Sequence, residues 1–294
     1  MKSIYLNQCI ITKNAERVYV QLMVKDKYIV NKKISYVLGD ITGDIEFVSI
    51  DNFNVGDIVL VGIVNSKVIN VKLDYKQHDL RDFICHVKRD IKDIMVELEE
   101  ETTNQFKDEE VLTLNKYFFE NSSFVKEFAK GIGGLAHHTY IGGLAEHTLN
   151  VVHFSNEFAN RYNCRYKEMV ILAAKLHDIG KIYEYSSEGM FKRTLRGEME
   201  GHIVIGITMI EEAFENSLGS YSESFKNRIK GCIVQHHGKP KYGSPKEPNT
   251  QEAFILHYAD YVDATMDKVS KVRDSTHMDS WSKYDEGIKT KLYI

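Results

Sequence analysis

The sequence has few of the residues and segments that mark several common classes of protein. Only three prolines occur in 294 residues, and no stretch is rich in serine or glycine, so no flexible linker is indicated. The four cysteines lie far apart without a CxxC pair, which argues against a zinc ribbon or a thioredoxin-like site and fits a reducing compartment. No run approaches the ~20 apolar residues that span a bilayer, and the N-terminus lacks the apolar stretch and cleavage site of a signal peptide. We therefore expect a cytoplasmic protein with no membrane association.

The charge balance also limits the ways in which the chain could bind a polyanion. The net charge is −4, so the protein as a whole does not attract nucleic acid. A site for a polyanion must therefore be a local patch of positive charge or a metal centre. The hydrophobic share of 43% is ordinary for a globular protein and allows a normal core.

Two regions with different periodicity follow one another along the chain. Residues 1 to about 76 contain short runs of β-branched residues, such as 18–24 and 58–64, separated by Gly-Asp and Asn-rich turns, a pattern typical of a small closed barrel. From Leu80 onward the apolar spacing is helical, as in 87–101 and 108–130. The sequence predicts a multidomain protein. Its three parts are an all-β barrel (1–78), a helical connector (79–130) and an all-α bundle (131–294).

Histidine and aspartate residues recur on the apolar faces or at the ends of five predicted helices. Gly180 and Gly238 are predicted to stop two of these helices, and a capping box from Asn249 to Glu252 is predicted to start the last. The seven residues are His147, His177, Asp178, His202, His236, His237 and Asp260.

A metal centre explains why carboxylates stand among apolar residues. Asp178 and Asp260 would be costly on apolar helix faces unless they were paired or coordinated, and no Lys or Arg lies one turn away on the same face. A single helical histidine is usually structural, and a His-His pair before a glycine can serve a helix C-terminus. The order H…HD…H…HH…D across five helices is much harder to explain in that way. Imidazole and carboxylate together suit Mn, Fe, Co, Ni or Zn, and seven ligands match two metals that share one carboxylate.

The order of these residues resembles the two-metal branch of the HD phosphohydrolase superfamily, and the surrounding motifs look like those of the YhaM-type 3′-to-5′ exoribonucleases. In that family an OB-fold barrel that binds single-stranded nucleic acid precedes a helical HD domain, and region 1–78 occupies that position. The motifs are HHTYIGGLAEHT (137–148), LHDIGKI (176–182), GHIVIG (201–206), HHG (236–238), YGSP (242–245) and LHYADYVDA (256–264).

The resemblance implies a division of the ligands between two divalent metals, with Mn expected first and Fe, Co, Ni or Zn as alternatives. The first metal is expected on four residues: His147, His177, Asp178 and Asp260. Asp178 is expected to bridge to the second metal, which His202 and His236 hold. His237 is left open as a ligand or a substrate contact. Two metals about 3.5–4 Å apart can lower the pKa of a shared water.

Five further residues are candidates for contact with substrate. Lys181, just past the His-Asp pair, is expected to touch phosphate and to act with Asp178 in catalysis; its alternative is a solvated lysine at a helix end. His138 and Tyr140 lie on the loop before the first ligand helix, and Tyr242 and Ser244 lie on the loop after His-His-Gly. The alternative for all four is loop packing.

The leading hypothesis is an exoribonuclease that hydrolyses single-stranded RNA to nucleoside 5′-monophosphates, with single-stranded DNA as a second substrate left open. A second hypothesis keeps the metal chemistry but acts on a small nucleotide or a cyclic dinucleotide. A third is a non-catalytic nucleic-acid-binding module, against which the complete ligand set argues. The barrel offers Tyr19, Tyr28, Tyr36 and Phe47 for stacking on bases, although strand aromatics often fill a core. The sequence leaves a homo-oligomer open.

Overall fold

The structure, a computed structural model, describes residues 2, 4–11, 17–187 and 189–294. The chain divides into two compact units. The first contains Met1–His86 and Ser186–Lys192, and the second contains Val87–Tyr185 and Arg193–Ile294. The helices between residues 91 and 130 fall in the second unit. The three-part division at residues 78 and 130 remains a prediction.

The first unit is built on one antiparallel sheet. A short helix, α1 (Leu6–Ile11), precedes its five strands. Asn31 and Lys32 both have positive φ, as a two-residue type I′ hairpin between the first two strands requires. The strands are β1 (Val18–Val30), β2 (Lys33–Asp40), β3 (Gly43–Ser49), β4 (Ile58–Val64) and β5 (Lys67–Leu73). Their order across the sheet is β3-β2-β1-β4-β5.

The sheet is curled into a half-barrel and is not closed. Its OB-like, all-β character confirms the predicted fold class, and the runs at 18–24 and 58–64 lie in β1 and β4. The prediction that the barrel is closed is wrong, because β3 and β5 lie at opposite edges of the sheet and do not pair with each other in the described part of the chain. Exposed charged side chains on these edge strands, such as Glu46 and Lys72, are suited to solvent and protect the edges.

The second unit is helical, which confirms the other half of the predicted fold class. Along the chain, a short hairpin of β6 (Tyr185–Ser186) and β7 (Lys192–Arg193) interrupts the series of helices, and its residues 186–192 belong to the first unit. The helices are α2 (Ile91–Thr103), α3 (Glu109–Phe119), α4 (Ser122–Lys130), α5 (Gly143–Arg161), α6 (Lys167–Leu176), α7 (Lys181–Glu184), α8 (Leu195–Asn216), α9 (Glu223–Gln235) and α10 (Gln251–Asp274).

Helix α6 is the centre of this unit. All residues from Met169 to Leu176 are buried, and α5, α9 and α10 pack around the helix. Even Lys175 is fully buried; its ammonium donates hydrogen bonds to Glu99 Oε1 at 2.6 Å and Asn115 Oδ1 at 2.9 Å. Residues that follow Leu176 are therefore delivered into the interior of the bundle.

The structure corrects two of the predicted helix boundaries. Gly180 is not a left-handed stop, since its φ is −62°; a Cβ there would lie 2.0 Å from the His202 carbonyl oxygen, so close packing against α8 requires the glycine. Thr250, rather than Asn249, caps α10 by accepting a hydrogen bond from the Ala253 N–H at 3.2 Å. Gly238, with φ of +79°, does follow the end of α9 as predicted.

A break at Gly201 changes the direction of α8 just before His202. Its φ and ψ of 72° and 158° interrupt α8, and His202 begins the segment that follows. Glycine is needed here because side chains rarely adopt that backbone conformation. Within the described ranges, none of the helices combines the length and the apolar character that crossing a bilayer requires.

Candidate metal centre

The seven residues predicted as ligands converge in the second unit, with Asp178 in the middle. Its Oδ2 lies 3.1 Å from His177 Nε2 and 3.3 Å from His147 Nε2. Its Oδ1 lies 3.5 Å from His202 Nε2 and 3.6 Å from His236 Nε2. The two oxygens of one carboxylate thus face two different pairs of histidines.

The remaining two residues extend these groups on either side. Asp260 Oδ1 lies 3.3 Å from His147 Nε2, and His237 Nε2 lies 3.3 Å from His202 Nε2. Ligand atoms of His147, His177 and Asp178 are all within 4.8 Å of one another, and so are those of His202, His236 and His237. The structure therefore contains two clusters of donor atoms that meet at Asp178.

Two orphaned atoms show that the donor set suits cations. Asp178 Oδ1 and His236 Nε2 are buried and have no hydrogen-bond partner among the described residues. A buried polar atom without a partner is costly, and most such atoms in native proteins turn out to be satisfied. Imidazole nitrogen and carboxylate oxygen facing one another are ligands for divalent transition metals. The residues present therefore fit such metals, although nothing in the geometry selects one metal over another.

Backbone carbonyls orient two of the histidines. His177 Nδ1 lies 2.7 Å from the Ala174 carbonyl oxygen, and His236 Nδ1 lies 2.6 Å from that of Ile233. Because a carbonyl only accepts, Nδ1 carries the proton in each ring, and Nε2 presents its lone pair to the centre. Both histidines use the third carbonyl before them, which the end of a helix leaves free.

Carboxylates orient two more histidines, and the sequence reasoning missed both of these carboxylates. His147 Nδ1 donates to Asp263 Oδ2 at 2.6 Å, and His202 Nδ1 donates to Glu184 Oε2 at 2.8 Å. Such partners fix the tautomer and raise the basicity of a ligand. Asp263 stands three residues after Asp260 on the same helix, a spacing that could have identified it.

The position of Lys181 shows that the expectation of no Lys or Arg one turn away from Asp178 was wrong. Its ammonium pairs with Asp178 Oδ2 and donates to the Gly133 carbonyl, and the residue is only 4% exposed. The pairing arises because α6 ends at Leu176 and a new helix begins at Lys181, which turns the lysine back toward the carboxylate. The ion pair with Lys181 leaves Asp178 Oδ1 without a partner among the described residues, so a cation at the second cluster is still needed to satisfy that oxygen.

The electrostatics of the centre favour positive charge. Burial alone would raise the pKa of Asp178, but His177, Lys181 and the hydrogen bonds to the carboxylate hold it well below its usual range. Burial alone would lower the pKa of His147, but its three carboxylate partners raise it well above its usual value. We expect metal binding here to release protons, since ligating imidazoles must be neutral.

In the second cluster, two of the histidines are held neutral by burial and by neighbouring imidazoles. Burial and the neighbouring His237 and His177 keep the pKa of His236 well below its usual value. Burial and the neighbouring His202 lower the pKa of His237 to about 4. These rings are available as ligands at neutral pH.

The predicted substrate residues lie at different depths. His138 is 4% exposed, donates from Nε2 to Asp263 Oδ2 at 2.8 Å and pairs through Nδ1 with the Tyr140 hydroxyl at 2.6 Å. Ser244 is 2% exposed, with its hydroxyl 2.7 Å from the Lys246 carbonyl oxygen. Tyr242 is half exposed and lines a cavity beside the metal ligands. Of these four, Tyr242 is the one that lines this cavity; contact with substrate remains a prediction for all of them.

His137 is a further candidate that the sequence reasoning passed over. Its ring centroid lies 4.9 Å from that of His147, and its Nδ1 is buried without a partner among the described residues. Burial and the nearby Lys181 lower its pKa. The His-His pair at 137–138 was visible in the sequence, but only the fold shows that the first of the two faces the centre.

A cavity of about 360 Å³ opens beside the two clusters. Two of the predicted ligands, His237 and Asp260, are exposed to this cavity. The lining residues are His137, His237, Tyr242, His257, Asp260, Tyr261, Ala264, Thr265, Lys268, Gly287, Ile288 and Lys289.

Residues 144–265 match the HD domain family, so the helical unit with its paired clusters contains an HD domain. A protein from Geobacillus sp. (strain WCH70), named 3′-5′ exoribonuclease YhaM, is 36% identical over 135 residues, which are 46% of this chain and 41% of the relative. The proteins of that name from Bacillus velezensis (strain DSM 23117 / BGSC 10A6 / LMG 26770 / FZB42) and Bacillus subtilis (strain 168) are 32% and 33% identical. Those matches cover 54% and 46% of this chain and 55% and 42% of the relatives.

These similarities support the resemblance to the YhaM-type family of HD-domain proteins that the motifs predicted. The chain spans about half the length of the curated relatives it matches. No solved structure matches the chain.

Proposed function

We propose that this protein is a metal-dependent phosphodiesterase that removes nucleotides one at a time from the 3′ end of single-stranded RNA. The observation that carries the proposal is the position of Asp178, whose two oxygens face separate histidine pairs. A carboxylate in that position can hold two cations at once, and paired metals suit the in-line displacement at phosphorus. The names of the relatives supply the substrate class for the proposal.

The proposed ligand assignment follows the two clusters. His147, His177 and Asp260 would hold one metal and His202 and His236 the other, with Asp178 shared; His237 lies close enough to join the second group. Bound metals would supply Lewis-acid activation of a water and of the phosphoryl group. Mn is our first expectation for both positions.

The protein side chains position the reaction and balance its charge. Asp263 and Glu184 hold His147 and His202 in the tautomer that ligates. Lys181 is proposed to place a positive charge beside the phosphate, which it could do from its position against Asp178. Tyr242, half exposed at the cavity, is proposed to contact the terminal nucleoside.

The identity of the products follows from the attacking group. A water activated at the centre would attack phosphorus and expel the 3′-oxygen of the shortened chain. The released product would then be a nucleoside 5′-monophosphate. A 2′,3′-cyclic phosphate would require attack by the ribose hydroxyl, which this site does not need.

We propose that the first unit holds RNA outside the active site. Tyr19 and Tyr28 are 42% and 38% exposed on β1, where they could stack on bases, whereas Tyr36 is fully buried in the core of the sheet. Stacking on such rings contributes about 1–3 kcal/mol per base and tolerates any sequence. A cytoplasmic location and the oligomeric state remain predictions.

The experiment is incubation of purified protein with 5′-labelled single-stranded RNA, with and without Mn²⁺. We expect a ladder that shortens one nucleotide at a time, with nucleoside 5′-monophosphates as products, and inhibition by a 3′-terminal phosphate. Cyclic phosphate products would contradict the mechanism. Rapid hydrolysis of cyclic dinucleotides without any RNA ladder would favour the small-substrate alternative.

A further inference from the structure

The cavity beside the predicted metal ligands is also lined by two cationic residues that the metal centre does not explain. Lys268 on α10 and Lys289 both line it. Within the described part of the chain neither ammonium has a carboxylate partner, whereas Lys271, on the same helix, pairs with Asp267 at 2.8 Å. In a protein with a net charge of −4, two unpaired lysines at the mouth of one cavity indicate an anionic ligand.

The segment that presents Lys289 is a built structure. Residues 279–294, here named the tail hairpin, fold back on themselves: the Ser282 N–H donates to the Leu292 carbonyl oxygen at 2.7 Å and the Asp285 N–H to that of Thr290 at 3.0 Å. At its tip, Asp285 Oδ1 accepts from the Gly287 and Ile288 N–H groups at 2.8 and 3.1 Å. The tip is therefore fixed by its own hydrogen bonds.

The backbone at the tip has an uncommon conformation and packs against Lys268. Lys289 has a φ of +54°, which is uncommon for a residue with a side chain. A Cβ on Gly287 would lie 3.5 Å from Lys268 Cδ, so the backbone of the tip lies against the stem of that lysine. The two lysines thus come from different elements that pack together at the rim of one cavity.

We infer that Lys268 and Lys289 form a subsite for the phosphate immediately 5′ of the scissile one. This inference rests on the proposed function. The scissile phosphate would be bound at the clusters formed around Asp178, so further cations are useful only if the substrate carries another phosphate. A polynucleotide has that phosphate, and a dinucleoside monophosphate does not. The exposed ring of Tyr261, which lines the same cavity, lies where the intervening base could stack.

The test compares two substrates that differ by one charge. One is a trinucleotide with two ordinary phosphodiesters, and the other carries a neutral methylphosphonate at the linkage nearer the 5′ end. Wild-type protein should have a KM about tenfold lower for the first, the equivalent of one charge-assisted hydrogen bond. Lys289→Ala and Lys268→Met should raise the KM for the charged substrate by about that factor, with little change for the neutral one.

Two controls keep the result specific. Lys291→Ala removes the same charge from the tail hairpin at an exposed residue that does not line the cavity, and it should behave as wild type. The rate with bis-p-nitrophenyl phosphate, which lacks a second phosphate, should be the same in all variants. Lys268→Met retains an unbranched apolar stem to pack on Gly287.

The outcomes separate this inference from the proposed function. If wild-type protein cleaves bis-p-nitrophenyl phosphate but no trinucleotide, the exonuclease proposal fails whatever the lysines do. If it cleaves the trinucleotide and Lys268→Met and Lys289→Ala match Lys291→Ala, the subsite is refuted and the exonuclease proposal stands. Equal losses on the charged and neutral substrates would also overturn the inference, because the lysines would then act on the scissile phosphate.

Discussion

Replacement of Asp263 by asparagine should weaken metal binding without unfolding the protein. Asp263 is 5% exposed and accepts hydrogen bonds from His147 Nδ1 at 2.6 Å, His138 Nε2 at 2.8 Å and Asn150 Nδ2 at 2.7 Å. Burial alone would raise its pKa, but the hydrogen bonds from His138 and His147 hold the pKa below its usual range. The carboxylate is therefore ionised at neutral pH and stabilises the ligating tautomer of His147.

The expected magnitude follows from what asparagine keeps and loses. The side chain has nearly the same volume, so the packing of α10 against α5 should survive. The negative charge is lost, and one end of the amide becomes a donor that cannot accept from its neighbours. Loss of such an outer carboxylate costs about 10–100-fold in metal affinity, or about 1.4–2.7 kcal/mol. The decrease in metal affinity should occur at the cluster that contains His147.

The assay is titration of metal-free protein with Co²⁺, followed by calorimetry and by visible absorption, which reports the ligand field directly. Asp267→Asn is the matched control, since it removes a carboxylate one turn further along α10 that contacts the His138 backbone N–H and Lys271 but not His147. Thermal melts of both variants check folding. Unchanged affinity in a folded Asp263→Asn protein would refute the argument that this carboxylate acts through His147.

Other perturbations test the remaining parts of the account. Elemental analysis should find two transition metals per chain, and one metal alone would reduce the site to a mononuclear one. Asp178→Ala should abolish hydrolysis and weaken both metals in titrations, because one carboxylate serves both, whereas His237→Ala should cost less than tenfold in kcat/KM. Burial lowers the pKa of Lys175 from 10.5 to about 8. Between pH 8 and pH 10.5 the unfolded chain therefore binds more protons than the folded one. The free energy of unfolding of the wild-type protein should rise by about 3 kcal/mol as the pH increases across this range. Denaturant melts of Lys175→Met should lack this rise, and parallel pH curves for the two proteins would contradict it. Alanine at both Tyr19 and Tyr28 should raise the KM for long RNA about tenfold or more and leave bis-p-nitrophenyl phosphate hydrolysis unchanged, and equal KM values would mean that the first unit does not hold RNA.

The local features of this protein were readable because they depend on neighbours in the sequence. Alternating β-branched runs and a helical spacing of apolar residues distinguish the two halves, since strand and helix place side chains with periods of 2 and 3.6. The seven ligand candidates were visible because carboxylates and imidazoles on apolar helix faces demand an explanation. The structure brings all seven together around Asp178.

Features that depend on the meeting of distant segments were beyond the sequence. Closure of the sheet was predicted and did not occur, because strand order is decided by long-range pairing. Asp263 meets His147 across 116 positions, and the tail hairpin brings Lys289 to Lys268. Lys181 lies only three positions from Asp178, yet its pairing depends on the end of α6 and on the new helix that follows.

Sequence and tertiary structure determine different properties for a physical reason. The chemistry of a side chain depends on its residue type, whereas its role in the protein depends on the groups that surround it. Sequence alone determined that imidazoles and carboxylates would sit in apolar surroundings and so require cations. Tertiary packing decided which nitrogen of each ring faces the centre and which atoms stay unpaired. It also decided which of two adjacent histidines, His137 or His138, faces the metal ligands and which supports Asp263.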